Sequence, residues 1–140
     1  MGKEITLEAN VESIASVTAF VEEYLEPYGG SIKAVTQISV ALDELVSNIV
    51  NYSGSKDYTV RIEVSDSKVT TLTFIDSGVP YNPLEKDDPD VTLSAEERKI
   101  GGLGIYMVKK TMDEMTYTYG DGQNILRIVK NILVKMTHLS

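Results

Sequence analysis

VTTLTFIDSGVP, residues 69–80, changes character halfway along. Its first seven residues are β-branched or apolar, with Leu72 and Phe74 at a period of two, and read as a strand. Asp76 ends that run, and Ser77, Gly78 and Pro80 turn the chain away. A carboxylate at a strand end is held by the sheet and can accept a hydrogen bond from a donor such as an exocyclic amine. Gly78 lets the backbone pass close to whatever lies there. Taken alone, Asp-Ser-Gly reads equally well as an ordinary strand exit. Just upstream, Val60, Ile62 and Val64 alternate with Arg61 and Glu63, and Asp66-Ser67-Lys68 makes a turn. The two runs therefore predict an antiparallel pair.

Working outward, KEITLE at 3–8 alternates Ile5 and Leu7 with polar neighbours and predicts a short strand. Asn10 can cap a helix carrying Ile14, Val17, Val21 and Leu25, which ends by Pro27 and Gly29-Gly30. Ser31 is a second cap, for a long helix with Val35, Ile38, Leu42, Leu45 and Ile49 on one stripe, ending near Ser53-Gly54. After the strand, Ser77 to Lys99 holds Pro80, Pro83 and Pro89 in a mostly acidic run. So long a loop in a small domain is usually functional. SAEER, 94–98, has the start of a capping box and predicts a short helical turn. Gly101-Gly102-Leu103-Gly104 opens a helix, IYMVKKTMDEM, followed by strands at 116–119 and 125–130 around the turn Gly120-Asp121-Gly122. No internal repeat or linker interrupts the 140 residues, which predict a single domain, 1–140.

Composition narrows the chemistry. Thirteen Lys and Arg against 21 Asp and Glu leave a net charge of −8, which argues against a nucleic-acid surface. The chain has no Cys, which excludes disulfides, thiolate zinc sites and cysteine nucleophiles. Its one histidine, His138, lies in the last few residues, which argues against a His-centred triad or a His-rich metal site. No stretch approaches the run of about 20 apolar residues that crosses a bilayer, so the expected setting is cytoplasmic, without a membrane partner.

Two further features carry possible chemistry. Gln37, Ala41, Glu44, Asn48 and Asn51 recur at helical spacing, a stripe roughly opposite part of the apolar face. Glu44 and Asn48, at i and i+4, put a carboxylate beside a carboxamide, which suits a hard cation or a hydroxyl poised for attack. On its own, the wet side of an amphipathic helix is the better reading. The glycine run at 101–104 offers free N–H groups at a helix start, an anion site, with Arg98 and Lys99 just before it. It is neither a Walker loop nor a dinucleotide fingerprint, and a bare glycine turn explains it about as well.

In order, however, Glu44 and Asn48 as E-x-x-x-N, Asp76, Gly78 and Pro80 as D-x-G-x-P, and Gly102 and Gly104 as G-x-G at a helix start resemble the N, G1 and G2 boxes of the GHKL ATPases. That superfamily includes gyrase, the heat-shock chaperone, histidine kinases and the mismatch-repair protein. DSGVPYNP, TLSAEERKIGGLGI and MVKKTMDEMTY look like the bacterial anti-sigma-factor serine kinases, over about residues 3–130. The resemblance implies an α+β two-layer sandwich, a mixed, mainly antiparallel sheet covered on one face by helices (the Bergerat fold), with an ATP lid at about 81–101.

The same resemblance implies roles. Asn48 would coordinate the Mg²⁺ bridging the ATP phosphates, and Glu44 would take or orient the hydroxyl proton of a partner's serine. Asp76 would read the adenine amino group, with Gly78 making room for the base. Gly101, Gly102, Leu103 and Gly104 would offer N–H groups to the phosphates, joined by Arg98 or Lys99 from the lid. The implied activity is an ATP-dependent protein-serine kinase acting on a STAS-type anti-anti-sigma protein and binding a sigma factor. Relatives of this size often pair as homodimers. The alternative is a non-catalytic module that uses ATP to shape a docking surface, and Glu44 favours the kinase. A histidine kinase is disfavoured, since 140 residues leave no room for a phosphoacceptor helix pair, and a gyrase-like ATPase would need a transducer domain. Three positions depart from the pattern: Ile100 stands where the G2 box often begins with Gly, Tyr52 where many relatives have His, and Asn124 about where some place a nucleotide-binding Thr.

Overall fold

The structure is a computed structural model that describes residues 2–85 and 102–134. Five strands, β1 (Lys3–Glu8), β2 (Asp57–Val64), β3 (Val69–Asp76), β4 (Glu114–Gly120) and β5 (Gln123–Asn131), form one sheet in the order β1-β2-β3-β5-β4. All four pairings are antiparallel, so the sheet is more uniform than the mixed, mainly antiparallel one expected. The reason lies in the connections: β2–β3 and β4–β5 are tight hairpins, and β1 and β5 each meet their neighbours running the opposite way. Asp121 and Gly122 both take positive φ, 53° and 76°, as a two-residue hairpin turn requires.

Among the described residues, three helices cover one face: α1 (Glu12–Leu25), α2 (Ile32–Asn48) and α3 (Gly102–Thr111). The register sets Val60, Phe74 and Leu126 in one row across β2, β3 and β5, and Tyr58, Asp76 and Asn124 in another. Both rows face the helices. The core is filled by Val17 and Val21 of α1, Ile38, Leu42 and Leu45 of α2, and Ile105 and Val108 of α3. These recur at three or four residues, which is why the segments are helices with one apolar stripe.

The cap of α2 is where the sequence predicts it, while α1 begins at Glu12 with Val11 at its cap position and Asn10 one residue before that. Ser31 Oγ accepts from Ala34 N at 3.0 Å, and Asn10 Oδ1 accepts from Ser13 N at 2.9 Å. The last turn of α2 differs from expectation. Residues 49–53 wind as a π-helical turn before Gly54, whose φ is +74°. The helix read as IYMVKKTMDEM is shorter than expected: α3 stops at Thr111. Lys130 Nζ takes the Thr111 carbonyl at 2.6 Å, and Asp113 N donates to Val129 O at 2.8 Å, drawing the next residues into the sheet. The predicted SAEER turn and most of the lid fall on residues outside those described.

Candidate functional site

On the inward face of β3, Leu72 and Phe74 lie between two polar positions, Thr70 at one end and Asp76 at the other, where Asp76 and Asn124 form the last row. They sit directly opposite each other on β3 and β5 and are 7% and 6% exposed. A narrow pocket opens there. Asn48, Ile49 and Ser53 from the end of α2 form one wall, Asp76 and Phe74 the floor, and Tyr81, Pro83 and Tyr117 the remaining sides. The π-helical turn explains part of this, because residues five apart on such a turn share a face. Asn48 and Ser53 therefore both line the pocket, which neither would do together on an α-helix.

The polar groups are closely organised. Asp76 Oδ1 accepts from Gly78 N at 2.8 Å and from Asn124 Nδ2 at 3.0 Å. Asn124 Nδ2 also donates to Val79 O at 2.9 Å, and its Oδ1 accepts from Tyr81 N at 3.0 Å and from the Tyr117 hydroxyl. The segment after β3 is thus tied to β5, and Val79 N donates to Ser53 O at 2.9 Å, which ties it to α2 as well.

Gly78 stands so close to Ser53 that a Cβ there would overlap the Ser53 backbone. In this structure its missing side chain makes room for the end of α2, where the sequence reading had it making room for a base. Gly104, in the first turn of α3, has the Glu44 carboxyl group where a Cβ would lie. Glu44 thus sits at the mouth of α3, one turn along α2 from Asn48. Both are half-buried, so their stripe is a border of the core and not its wet opposite, and Ala41 on the same stripe is fully buried. Asn51 alone of that stripe's later members is exposed.

The fold therefore gathers Glu44, Asn48, Asp76, Gly78 and Gly104 from three separate sequence boxes, with Gly102 and Leu103 as the first two residues of α3. Arg98, Lys99 and Gly101 lie outside the described residues. Sequence reasoning missed Tyr81, Tyr117 and Ser53. Tyr117 is an alternating strand residue like its neighbours, and only the β4–β5 register brings it diagonally beside Asn124. No group of three Asp, Glu or His side chains that could hold a metal occurs among the described residues. A divalent cation here would take Asn48 Oδ1 as a protein ligand and draw its other oxygens from phosphate and water. That donor set suits Mg²⁺, which keeps several waters and binds through substrate phosphates.

Comparisons with known proteins bear on the family and the fold. The profile of the histidine kinase-like ATPase domain family matches residues 7–130. The serine-protein kinase RsbW of Listeria monocytogenes serovar 1/2a is 26% identical over 106 residues, 70% of this chain and 67% of that protein. The serine/threonine-protein kinase BtrW of Bordetella bronchiseptica is 23% identical over 97 residues, 67% of this chain and 68% of its own length. The crystal structure of the RsbU and RsbW domains of a Mycobacterium tuberculosis protein superposes with a TM-score of 0.69 at 17% identity. That match covers 96% of this chain but only 35% of the other, and it supports the fold. No helix among the described residues is long and apolar enough to cross a membrane.

Proposed function

This chain belongs to the histidine kinase-like ATPase domain family, and from that premise we propose that it is an ATP-dependent protein-serine kinase of the anti-sigma-factor type. One observation carries the proposal. A single pocket joins a carboxylate at a strand end, Asp76, to a carboxamide on α2, Asn48, and the next turn of α2 sets Glu44 at the mouth of α3. A docking module that only held nucleotide would need no carboxylate at that mouth. The relatives named as serine kinases point the same way.

In this reading the base lies against Asp76, whose free edge accepts from the adenine amino group. The phosphates run past Asn48 toward the N–H groups of Gly102, Leu103 and Gly104, where the helix start favours negative charge. Asn48 would hold a Mg²⁺ ion together with the phosphates, and the ion would supply charge neutralisation for phosphoryl transfer. Glu44 accepts the proton of a serine hydroxyl on the partner as the γ-phosphoryl group passes to that oxygen and ADP leaves. The substrate proposed is a STAS-domain anti-anti-sigma protein, and the released partner a sigma factor.

The test is incubation of the purified chain with labelled Mg-ATP and a STAS-domain protein encoded beside it, reading phosphoserine. Asn48→Ala abolishes transfer. Glu44→Ala keeps Mg-ATP affinity close to wild type while transfer slows by about 10²-fold or more, the usual weight of a general base. Equal loss of binding and transfer in Glu44→Ala would make Glu44 structural. Tight Mg-ATP binding with no phosphoserine on any candidate would favour the docking module.

A further inference from the structure

A carboxamide has four hydrogen-bonding positions, two donors and two lone pairs. Those of Asn124 are all occupied by protein. Its nitrogen reaches Asp76 Oδ1 at 3.0 Å and Val79 O at 2.9 Å, and its oxygen receives Tyr81 N at 3.0 Å and the Tyr117 hydroxyl. The orientation of the amide is forced by the backbone, because Val79 O can only accept and the Tyr81 N–H can only donate. Two consequences follow. Tyr117 donates, and Asp76 Oδ1 is an acceptor used twice, by Asn124 and by Gly78 N at 2.8 Å. Asp76 Oδ2 has no partner among the described residues, and it is the oxygen left for a ligand.

A carboxylate turns readily about its terminal torsion, which is broad and roughly two-fold. Gly78 N holds Oδ1 from the loop, but only Asn124 holds it from the opposite strand. Resting on the nucleotide reading above, we propose that Asn124 is a positioning residue. It fixes the plane of Asp76 so that Oδ2 meets the exocyclic amine of a 6-aminopurine, and it makes no contact with the nucleotide itself. Selectivity for the amino group then depends on a side chain with no hydrogen-bonding capacity left for the base.

The experiment is calorimetric titration of Mg-ATP and of Mg-purine riboside triphosphate, which lacks the 6-amino group, into the full chain. Wild type prefers ATP by about tenfold or more, the weight of a hydrogen bond to a charged group. Asn124→Leu brings the two nucleotides within about threefold of each other, because ATP loses affinity and the analogue does not. Asn124→Asp sets a second carboxylate against Asp76 and Val79 O. Its ATP affinity falls about tenfold or more below wild type at pH 8 and returns toward it as the pH falls to 5.5, where the pair shares a proton.

A merely structural asparagine would weaken both nucleotides by one factor and give no such pH profile, and either result overturns the proposal. Thermal melts identify a variant that fails to fold, and the other variant then decides. Wild type that takes up no Mg-ATP brings down the nucleotide reading and this inference together. Wild type that binds, with variants that keep its affinity and preference, brings down this inference alone.

Discussion

Gly78 lies against the backbone of Ser53, and Gly104 against the end of the Glu44 side chain. The same substitution should therefore do different things at the two places. In Gly78→Ala the new methyl meets carbonyl and Cβ atoms fixed by the π-helical turn, so the expected cost is about 1–3 kcal/mol, the usual range for overpacking. Thermal denaturation should show a fall of several degrees. In Gly104→Ala the obstacle is a flexible carboxyl group that can swing aside. The melting temperature should stay within a few degrees of wild type, while phosphotransfer falls at least about tenfold as Glu44 leaves the mouth of α3. A Gly104→Ala protein with full transfer activity would remove Glu44 from the reaction. Both glycines stand out in the sequence because they sit in turn-like or helix-opening text. Their actual neighbours do not, since Ser53 and Glu44 reach them only when the chain has folded back.

Helix α2 carries Glu44 and Asn48, so its ends matter to the site. Ser31 at its start is half of what makes it begin there: its hydroxyl accepts the Ala34 N–H, one of the donors that a helix leaves unpaired. Ser31→Ala should cost about 1 kcal/mol, read from the urea midpoint at unchanged slope. An unchanged midpoint would mean water serves Ala34 as well as the serine does. The start of this helix is legible because capping is a relation among residues three apart. Its far end is legible only as a boundary at Gly54. The π-helical winding of 49–53 has no sequence signature and brings Asn48 and Ser53 onto one wall. The over-long reading of α3 has the same kind of cause: Met112 and Met115 suit a helix stripe, and the Lys130 contact that ends it comes from a distant strand.

Across the whole molecule, the helical layer and the sheet meet at tyrosines whose ionisation bears on stability. Tyr24 of α1 is raised from its ordinary 10.0 to about 12, first by burial, then by the Tyr28 hydroxyl and the charge of Glu63 on β2. Burial raises Tyr58 as well, against the opposing hydrogen bond to Ser13. An unfolded tyrosine loses its proton near pH 10, while folded Tyr24 keeps its own until about 12. Above pH 10 the unfolded state therefore binds fewer protons, and stability falls as pH rises through that window. Below pH 10 the contribution is intact. Urea midpoints measured from pH 9 to 12 should decline, and Tyr24→Phe should flatten the decline; an equal slope in both proteins would count against it. Strand and helix identities, the cap at Ser31, the Asp-Gly hairpin and the three ordered boxes could all be read from the chain, because each depends on residues a few positions apart. The pairing of Asp76 with Asn124, the saturation of Asn124 by Tyr81 and Tyr117, and the seat of Glu44 under Gly104 could not. Those contacts arise from strand register and from helices closing on the sheet, which depend on residues far apart in the chain.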